Sequence, residues 1–544
     1  MDVDDDASIS YGAGDDGSLT SYGHYLDICH ALNEDVLLRL QRNDPLVVSL
    51  KVRAGDWIKG AGRAIGQSKV LKALIADISP ARTESLWMTE LCQGLSHNQS
   101  IEFFKWIICD GDPSVDSFVM VHPFLQNNHI IQDIEFTNFF ESQSFNSFVS
   151  ALINCNLSRL KRIYVDWRVH VADYEVATLF DSLRENHTNL NDITFCSHFL
   201  ERMGSIALSN LLKNPVSKVR SLSLNTIIDT SCLAILSNGL IGSNTLQNLY
   251  LENSHYLSST DCCFLSGVLF HPMCSLKRFF LSECEIGDEG ACYLGDALAV
   301  NKTLAFFALK FDHSITSAGW KEFAKCLRNP QSALKELILY GCNMDDEGAV
   351  TIATALAGNS SLEILDVDNN THITSIGLDA FFALLLENRK SKLKELRIIE
   401  NNIEIQKKTR EILLRALCDK TTIESTCSSN HYFCNFEIAD WQIWDSVLEE
   451  IDDLLDMNRN SIKVDVARRK ILKYHFCGGK TGIHALMCMH ETVLPYAIEW
   501  MGRDERGYLT MFEFVKSFPT LFHVPCEQLY SGKKRKLEQR NFCK

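Results

Sequence analysis

Five side chains able to ligate a metal crowd into sixteen residues: His475, Cys477, His484, Cys488 and His490. Zinc takes thiolates and imidazoles in pairs about two to four residues apart, and Cys488-x-His490 is spaced too closely for that. Buried thiols and surface imidazoles are expected there, and no metal. The run Cys477-Gly478-Gly479-Lys480-Thr481 matches the end of a phosphate-binding loop. Tyr474, however, stands where the first glycine belongs, and the segment before it is basic and helical rather than a strand. Arg503-Asp504-Glu505-Arg506-Gly507 with Glu513 puts a glycine and a glutamate where a calcium loop needs them, but Gly502 and Arg506 fill ligand positions. A turn before a helix is expected instead. No nucleophile with a base and no carboxylate pair stands out, so neither an enzyme nor a cofactor is expected.

Recognition chemistry is better represented. Tyr164, Asp166, Tyr250, Glu252, Phe280, Tyr340, Asp366 and Asp368 fall at equivalent places in successive segments. Rigid aromatic anchors beside carboxylates suit a protein-binding surface, the rings for affinity and the charge for selectivity. The competing reading is that aromatics on adjacent strands only pack side by side. Lys533, Lys534, Arg535 and Lys536 form a cationic cluster that reads either as a nuclear localisation signal or as a solvated tail.

A repeat positions these residues. Leu276-x-x-Phe279-x-Leu281-x-x-Cys284-x-Ile286 is followed by Gly287-Asp288-Glu289-Gly290 and by a run from Ala291 to Leu298. Leu304-x-x-Phe307-x-Leu309 begins the clause again, and Leu334-x-x-Leu337-x-Leu339-x-x-Cys342-x-Met344 with Asp345-Asp346-Glu347-Gly348 repeats it more fully. Apolar residues two apart lie on one face of a strand. Ala291, Leu294 and Leu298, three and four apart, form one stripe of a helix, and Asp288 and Glu289 favour its N-terminus. First positions recur at Val47, Leu71, Ile101, Ile131, Leu160, Leu190, Val219, Leu246, Leu276, Leu304, Leu334, Leu362 and Leu393. A period near thirty residues signals stacked units that cannot bury their apolar faces alone. The expectation is an α/β solenoid, a horseshoe with parallel strands on the concave face and helices on the convex one. The eight recognition residues then lie on the concave face, at the fifth and seventh positions.

The repeat resembles the ribonuclease-inhibitor-like leucine-rich repeat of NOD-like receptors and Ran GTPase-activating proteins. Cys109, Cys284, Cys342, Asn370 and Asn401 fall where that family uses Asn or Cys to bond the turn after the strand. Asp312, Ser254 and His198 are polar substitutes, while Phe139, Arg168 and Ile227 depart from the pattern. The resemblance implies a non-enzymatic scaffold binding a protein on its concave face. As the alternative it implies a GTPase activator of the Ran type, for which Arg53, leaving the first strand before Ala54-Gly55-Asp56, is the candidate residue. The segment around Ala467 to Phe476 and Val493-Leu494-Pro495 resembles a helical module that follows such repeats in large algal families, which implies a cap and no activity.

Composition bounds the rest. The chain has 544 residues, 46% hydrophobic, and a net charge of −16. Such a balance disfavours nucleic acid and anionic membrane, and suits a protein partner with a basic or mixed surface. The N-terminal Met1-Asp2-Val3-Asp4-Asp5-Asp6 lacks the features of a signal peptide, and no apolar run is long enough to span a membrane. The twenty cysteines are therefore expected to be reduced thiols of a monomer in the cytoplasm or nucleus. The expected organisation is an acidic disordered tail (1–23), an N-terminal cap (24–46), about thirteen repeats (47–420), a helical C-terminal cap (421–525) and a basic tail (526–544). Residues 421–436 are expected to be a loop, with a helix beginning at Glu437.

Overall fold

The computed structural model describes residues 29–476 apart from 54–56, 79–84, 109–116, 140–141, 156, 168–170, 253–256, 330–331, 389, 404 and 438–445. Both tails, the expected C-terminal cap beyond Phe476, the cationic cluster Lys533–Lys536 and the segment Cys477–His490 lie outside these residues. So do Cys109, Arg168 and Ser254. The chain groups into two compact units. The first takes Met1–Gly377, Leu396–Ile403 and Glu437–Ala439; the second takes Leu378–Glu395, Glu404–Phe436 and Asp440–Lys544.

One sheet carries fifteen strands whose spatial order is their sequence order. They are β1 (His30–Ala31), β2 (Ser49–Arg53), β3 (Ala73–Ile78), β4 (Phe103–Ile108) and β5 (Asp133–Phe139). Next come β6 (Arg162–Trp167), β7 (Asp192–Leu200), β8 (Ser221–Ile228), β9 (Asn248–Glu252) and β10 (Arg278–Ser282). The last are β11 (Phe306–Lys310), β12 (Glu336–Tyr340), β13 (Ile364–Asp366), β14 (Glu395–Arg397) and β15 (Asn435–Glu437). Every described strand pair is parallel, with equivalent repeat positions in register, as in Leu249↔Phe279 and Leu281↔Leu309. A helix crosses over between successive strands, and from Glu34–Gln41 to Asp346–Leu356 each packs on its neighbours in the array. This architecture is the expected leucine-rich repeat solenoid.

The repeat arithmetic is borne out residue by residue. Thirteen repeats with three core positions each make thirty-nine sites, and all thirty-nine are buried, none more than 4% exposed. Ala76, small for its position, is fully buried on β3, so the repeats from Val47 and Leu71 are ordinary members of the array. In the early repeats aromatic rings replace leucine. Phe104 meets Phe124 edge-on at 5.0 Å, Phe136 meets Phe148 at 4.9 Å, and Phe145 meets Trp167 at 4.7 Å. Edge-to-face rings fill the same volume with added quadrupole attraction.

Polar side chains close the turns. Asn370 donates to the carbonyls of Leu339 (2.8 Å) and Val367 (2.9 Å) and accepts the amides of Cys342 and Met344, both at 2.9 Å. Asp312 does part of this one pair of repeats earlier in the array, accepting Ile286 N of the preceding repeat at 2.9 Å. The Cys342 thiol donates to Leu309 O at 3.3 Å, and the Cys284 thiol to Ser282 O at 3.5 Å. His198 does not take this place: it is exposed on β7, which runs on to Leu200 with a register shift between Cys196 and Phe199. Where Phe139 and Ile227 break the pattern, β5 and β8 likewise run on in place of turning.

A second set of asparagines was not anticipated. Asn98, Asn301 and Asn359 each sit three residues before a first position. Each donates to a carbonyl of the preceding helix region (Ile65 O, Leu269 O and Leu327 O, at 2.6, 2.8 and 2.9 Å) and accepts amides of its own turn.

Two expectations about the end of the array are corrected. Residues 421–436 are not a loop: they hold a helix at Ile423–Cys427 and then enter β15. The Cys434 and Asn435 amides donate to Lys394 O at 2.8 and 2.9 Å, the bond pattern at the starts of β3 to β13. Phe433, fully buried, thus occupies the first position of a fourteenth repeat. Its step from Leu393 is 433 − 393 = 40 residues, because the extra helix is inserted. For the same reason Glu437 closes a strand, and the helix expected from it is described as Ser446–Asn458.

Within the second unit a further helix, Lys463–Ile471, continues as a π-helical turn to Phe476. Lys470, with no exposed surface, donates to Leu417 O (2.6 Å), Asn430 O (3.0 Å) and His431 Nδ1 (3.3 Å). Burial pushes its ammonium down to about 7. His475, the one described member of the metal-ligand cluster considered above, has Nε2 2.8 Å from Thr426 Oγ1.

Candidate protein-interaction face

Alternation along each strand sends the fourth and sixth positions under the helices and the third, fifth and seventh to the sheet's other face. All eight recognition residues belong to that open face, but they do not form one exposed strip. Tyr164, Asp166, Tyr250, Glu252, Tyr340 and Asp368 are half-buried, whereas Phe280 and Asp366 are each only 6% exposed.

The reason for the burial of Phe280 is a neighbour at a position the repeat reading had not weighed. Phe306 is a third-position residue, 7% exposed, and with Phe280, Ala308 and Ile338 it forms one apolar cluster on the open face. Tyr250 and Tyr340 pack against its flanks, Tyr250 with its ring 6.1 Å from that of Phe280. Cations cover part of it. The Arg278 guanidinium lies 3.9 Å above the Phe306 ring, and Lys310 Nζ sits 5.5 Å from the Phe280 ring and 5.4 Å from that of Tyr340. Charge over an aromatic face is attractive and keeps the charged end in water. Side-by-side packing, the competing reading, therefore describes Phe280, while the two tyrosines keep exposed surface.

Carboxylates border the cluster. Asp366 Oδ2 is 3.6 Å from Arg397 Nη1, and Asp366 Oδ1 accepts the Asp368 amide at 3.0 Å. Burial nonetheless raises its carboxyl above the usual range, against the pull of that bond and of Arg397. Glu252 accepts from Asn225 Nδ2 at 3.4 Å.

Toward the N-terminal strands the same face is mostly ionic, beside a small apolar cluster of Ala73, Ile75 and Phe103 on β3 and β4. Arg53 Nε is 3.4 Å from Asp77, and Lys105 Nζ is 3.0 Å from Glu135. Arg162 lies in register between Asp133 and Asp192, with its Nε 3.4 Å from Asp133 Oδ1. Burial pushes both carboxyls up to about 6, Arg162 pulling the other way. Tyr164, beside them, accepts a long bond from the Cys196 thiol at 3.9 Å, and burial pushes its phenol up.

Among the described residues no group of three or more His, Cys, Asp and Glu could hold a metal ion, and no helix is long and apolar enough to cross a membrane.

Known proteins share the repeat. A family model described as "Leucine Rich repeat" matches residues 273–295, 332–353 and 358–382, the stretch in which the repeated clause is fullest. NACHT, LRR and PYD domains-containing protein 14 of Homo sapiens is 28% identical over 218 residues, 40% of this chain and 19% of that protein. Protein 13 of the same series, also from Homo sapiens, is 34% identical over 106 residues, 20% of this chain and 10% of that protein. The chain thus spans about a fifth or less of the length of these relatives. A solved chain from the complex of Rad7 and Elc1 in yeast is 12% identical, covering 71% of this chain and 92% of its own, with a TM-score of 0.37. The shared clause, the parallel sheet in sequence order and the buried repeat positions agree: the chain carries an array of leucine-rich repeats, similar to that of NACHT, LRR and PYD domains-containing proteins.

Proposed function

We propose that the protein is a non-enzymatic scaffold that binds a protein partner on the open face of its sheet, between β9 and β13. The observation that carries this reading is the cluster of Phe280, Phe306, Ala308 and Ile338, an apolar patch with no helix over it among the described residues, flanked by two half-exposed tyrosines. Aromatic anchors in a charged rim are the anatomy of a binding hot spot. Asp366, Asp368 and Glu252 on that rim, and the net charge of −16, favour a partner with a basic or mixed surface. A preformed sheet would present these contacts with little ordering cost. The fifteen described cysteines are all free, which fits a reducing compartment.

Affinity capture from the native cell tests the reading. Tyr250→Ala with Tyr340→Ala should reduce recovery of the partner about tenfold, with the melting temperature unchanged within a degree or two. Undiminished capture by the double variant would remove the open face from the account.

A further inference from the structure

The residue after each first position lies at the edge where the strands begin. In two places this row pairs a cation with a carboxylate on the next strand: Lys72 Nζ is 2.7 Å from Glu102, and Lys335 Nζ is 3.8 Å from Glu363. Between them the row runs Lys161, Asn191, Arg220, and the row two residues upstream runs Arg159, Asn189, Lys218. Both rows therefore read cation, amide, cation across three consecutive repeats. Backbone bonds hold the register, with Asn191 N donating to Lys161 O and Arg220 N to Asn191 O, each at 2.7 Å.

These six side chains line an open groove of about 510 Å³. Among the described residues none of the four cations forms an ion pair. Lys218 Nζ donates instead to Asn189 Oδ1 at 2.7 Å, and Asn189 Nδ2 donates to Ser158 O at 2.8 Å, which holds that amide across the groove floor. Lys161 also acts at a distance on Asp133, but that carboxylate already faces Arg162. Four unpaired cations in one concavity of a chain with net charge −16 run against the rest of its composition.

We propose that this groove binds a ligand carrying two phosphoryl groups, one held by Arg159 and Lys161 and the other by Lys218 and Arg220. Adjacent strands are about 4.8 Å apart, so the two cationic ends are separated by roughly 10 Å. Each end combines a planar guanidinium fork with a mobile ammonium, more donors than the two oxygens of a carboxylate can use and well matched to the three of a phosphoryl group. Asn189 and Asn191, able to donate and accept, face the uncharged atoms between the two anions. The phosphates could come from a compact polyphosphorylated small molecule or from two phosphorylated side chains of an extended peptide, about three residues apart at this span.

Isothermal titration of the full chain separates these cases with two probes, inositol hexakisphosphate and an extended peptide bearing phosphoserines three residues apart. At least one should bind saturably, weakening as salt is raised, and the tighter of the two identifies the source. Lys161→Glu with Arg220→Glu should weaken that probe at least about tenfold, and Lys161→Gln with Arg220→Gln by a smaller factor in the same direction. Both variants should keep the wild-type melting temperature. Lys277→Glu, in the same row but two strands past the groove, should change the affinity by less than about twofold. The proposal is overturned if neither probe binds at millimolar concentration, or if Lys277→Glu costs as much as the groove variants. It is equally overturned if a single-stranded oligonucleotide of equal charge outcompetes both probes.

Discussion

The open face of the sheet solves one problem in two ways. A side chain there has no helix to cover it, so it must be covered by its neighbours in the same rows. Over β2 to β7 much of the cover is ionic, as in Lys105 against Glu135 and Arg162 between Asp133 and Asp192, around one small apolar cluster of Ala73, Ile75 and Phe103. Over β9 to β12 it is aromatic, with Phe306 and Phe280 side by side beneath Arg278 and Lys310. Strand register places the same repeat positions in both regions, so what differs is only what the adjacent strands contribute. Repeat position therefore sets which way a residue points, and the neighbours decide whether it is a surface or a small core.

The largest effect expected from this contrast comes from two adjacent phenylalanines. Phe279, on the helix side, is 1% exposed, and Phe280, on the open side, is 6% exposed. Phe279→Ala should cost about 3–5 kcal/mol. Phe280→Ala should cost about 2 kcal/mol, since its cavity opens toward water and its neighbours can relax. Equal losses in denaturant titrations would mean that the aromatic patch is as much a core as the one beneath the helices.

A smaller effect concerns acidity in the ionic region. Folding raises the Asp133 and Asp192 carboxyls from 3.8 to about 6, so the folded chain holds their protons more tightly than the unfolded one. The stability this contributes is complete below about pH 3.8 and is lost as pH rises through about 6. Between pH 4 and pH 7, Asp133→Asn should gain about 2 °C in melting temperature relative to wild type. A difference that stays flat across that range would show that Arg162 already offsets the burial.

The smallest effect is the coupling of one ion pair. Lys105 and Glu135 are partly exposed, and a double-mutant cycle to alanine should return about 0.2–1 kcal/mol. A coupling as large as that of a buried pair would erase the distinction between the two regions.

Much of this fold can be read from the chain, because a repeated clause tests itself. Thirty-nine apolar positions agree on one register, and each is buried. The fourteenth repeat, with β15, escaped that test because the helix at Ile423–Cys427 stretches its step to forty residues, outside the period set by the others. The burial of Phe280 escaped for another reason: it depends on Phe306, which lies twenty-six residues away in sequence and beside it only through strand register. The cationic groove was equally hidden, since Arg159, Lys161, Lys218 and Arg220 are scattered over sixty-two residues and assemble only when three repeats stack. Tyr164, Tyr250 and Tyr340 were legible as open-face residues from alternation alone.

The carboxylates that begin certain helices tie one repeat to the next. Asp288, at the start of the helix Gly287–Val300, accepts Thr316 N at 2.8 Å in the following repeat. Asp346 does the same for Thr374 N at 2.8 Å and Gly377 N at 2.9 Å, and Asp173 for Met203 N and Gly204 N, both at 2.7 Å. In these three cases the donors at one helix's start are satisfied from the repeat behind it; elsewhere the direction reverses, Gly60 N donating to Glu90 Oε1 at 2.6 Å and Gly287 N to Ser314 Oγ at 2.8 Å in the repeat ahead. Truncation at either end should therefore cost a helix its acceptors: removing the repeat that holds Asp288 frees Thr316 N, and removing the repeat that holds Ser314 frees Gly287 N, so fraying starts from both cuts.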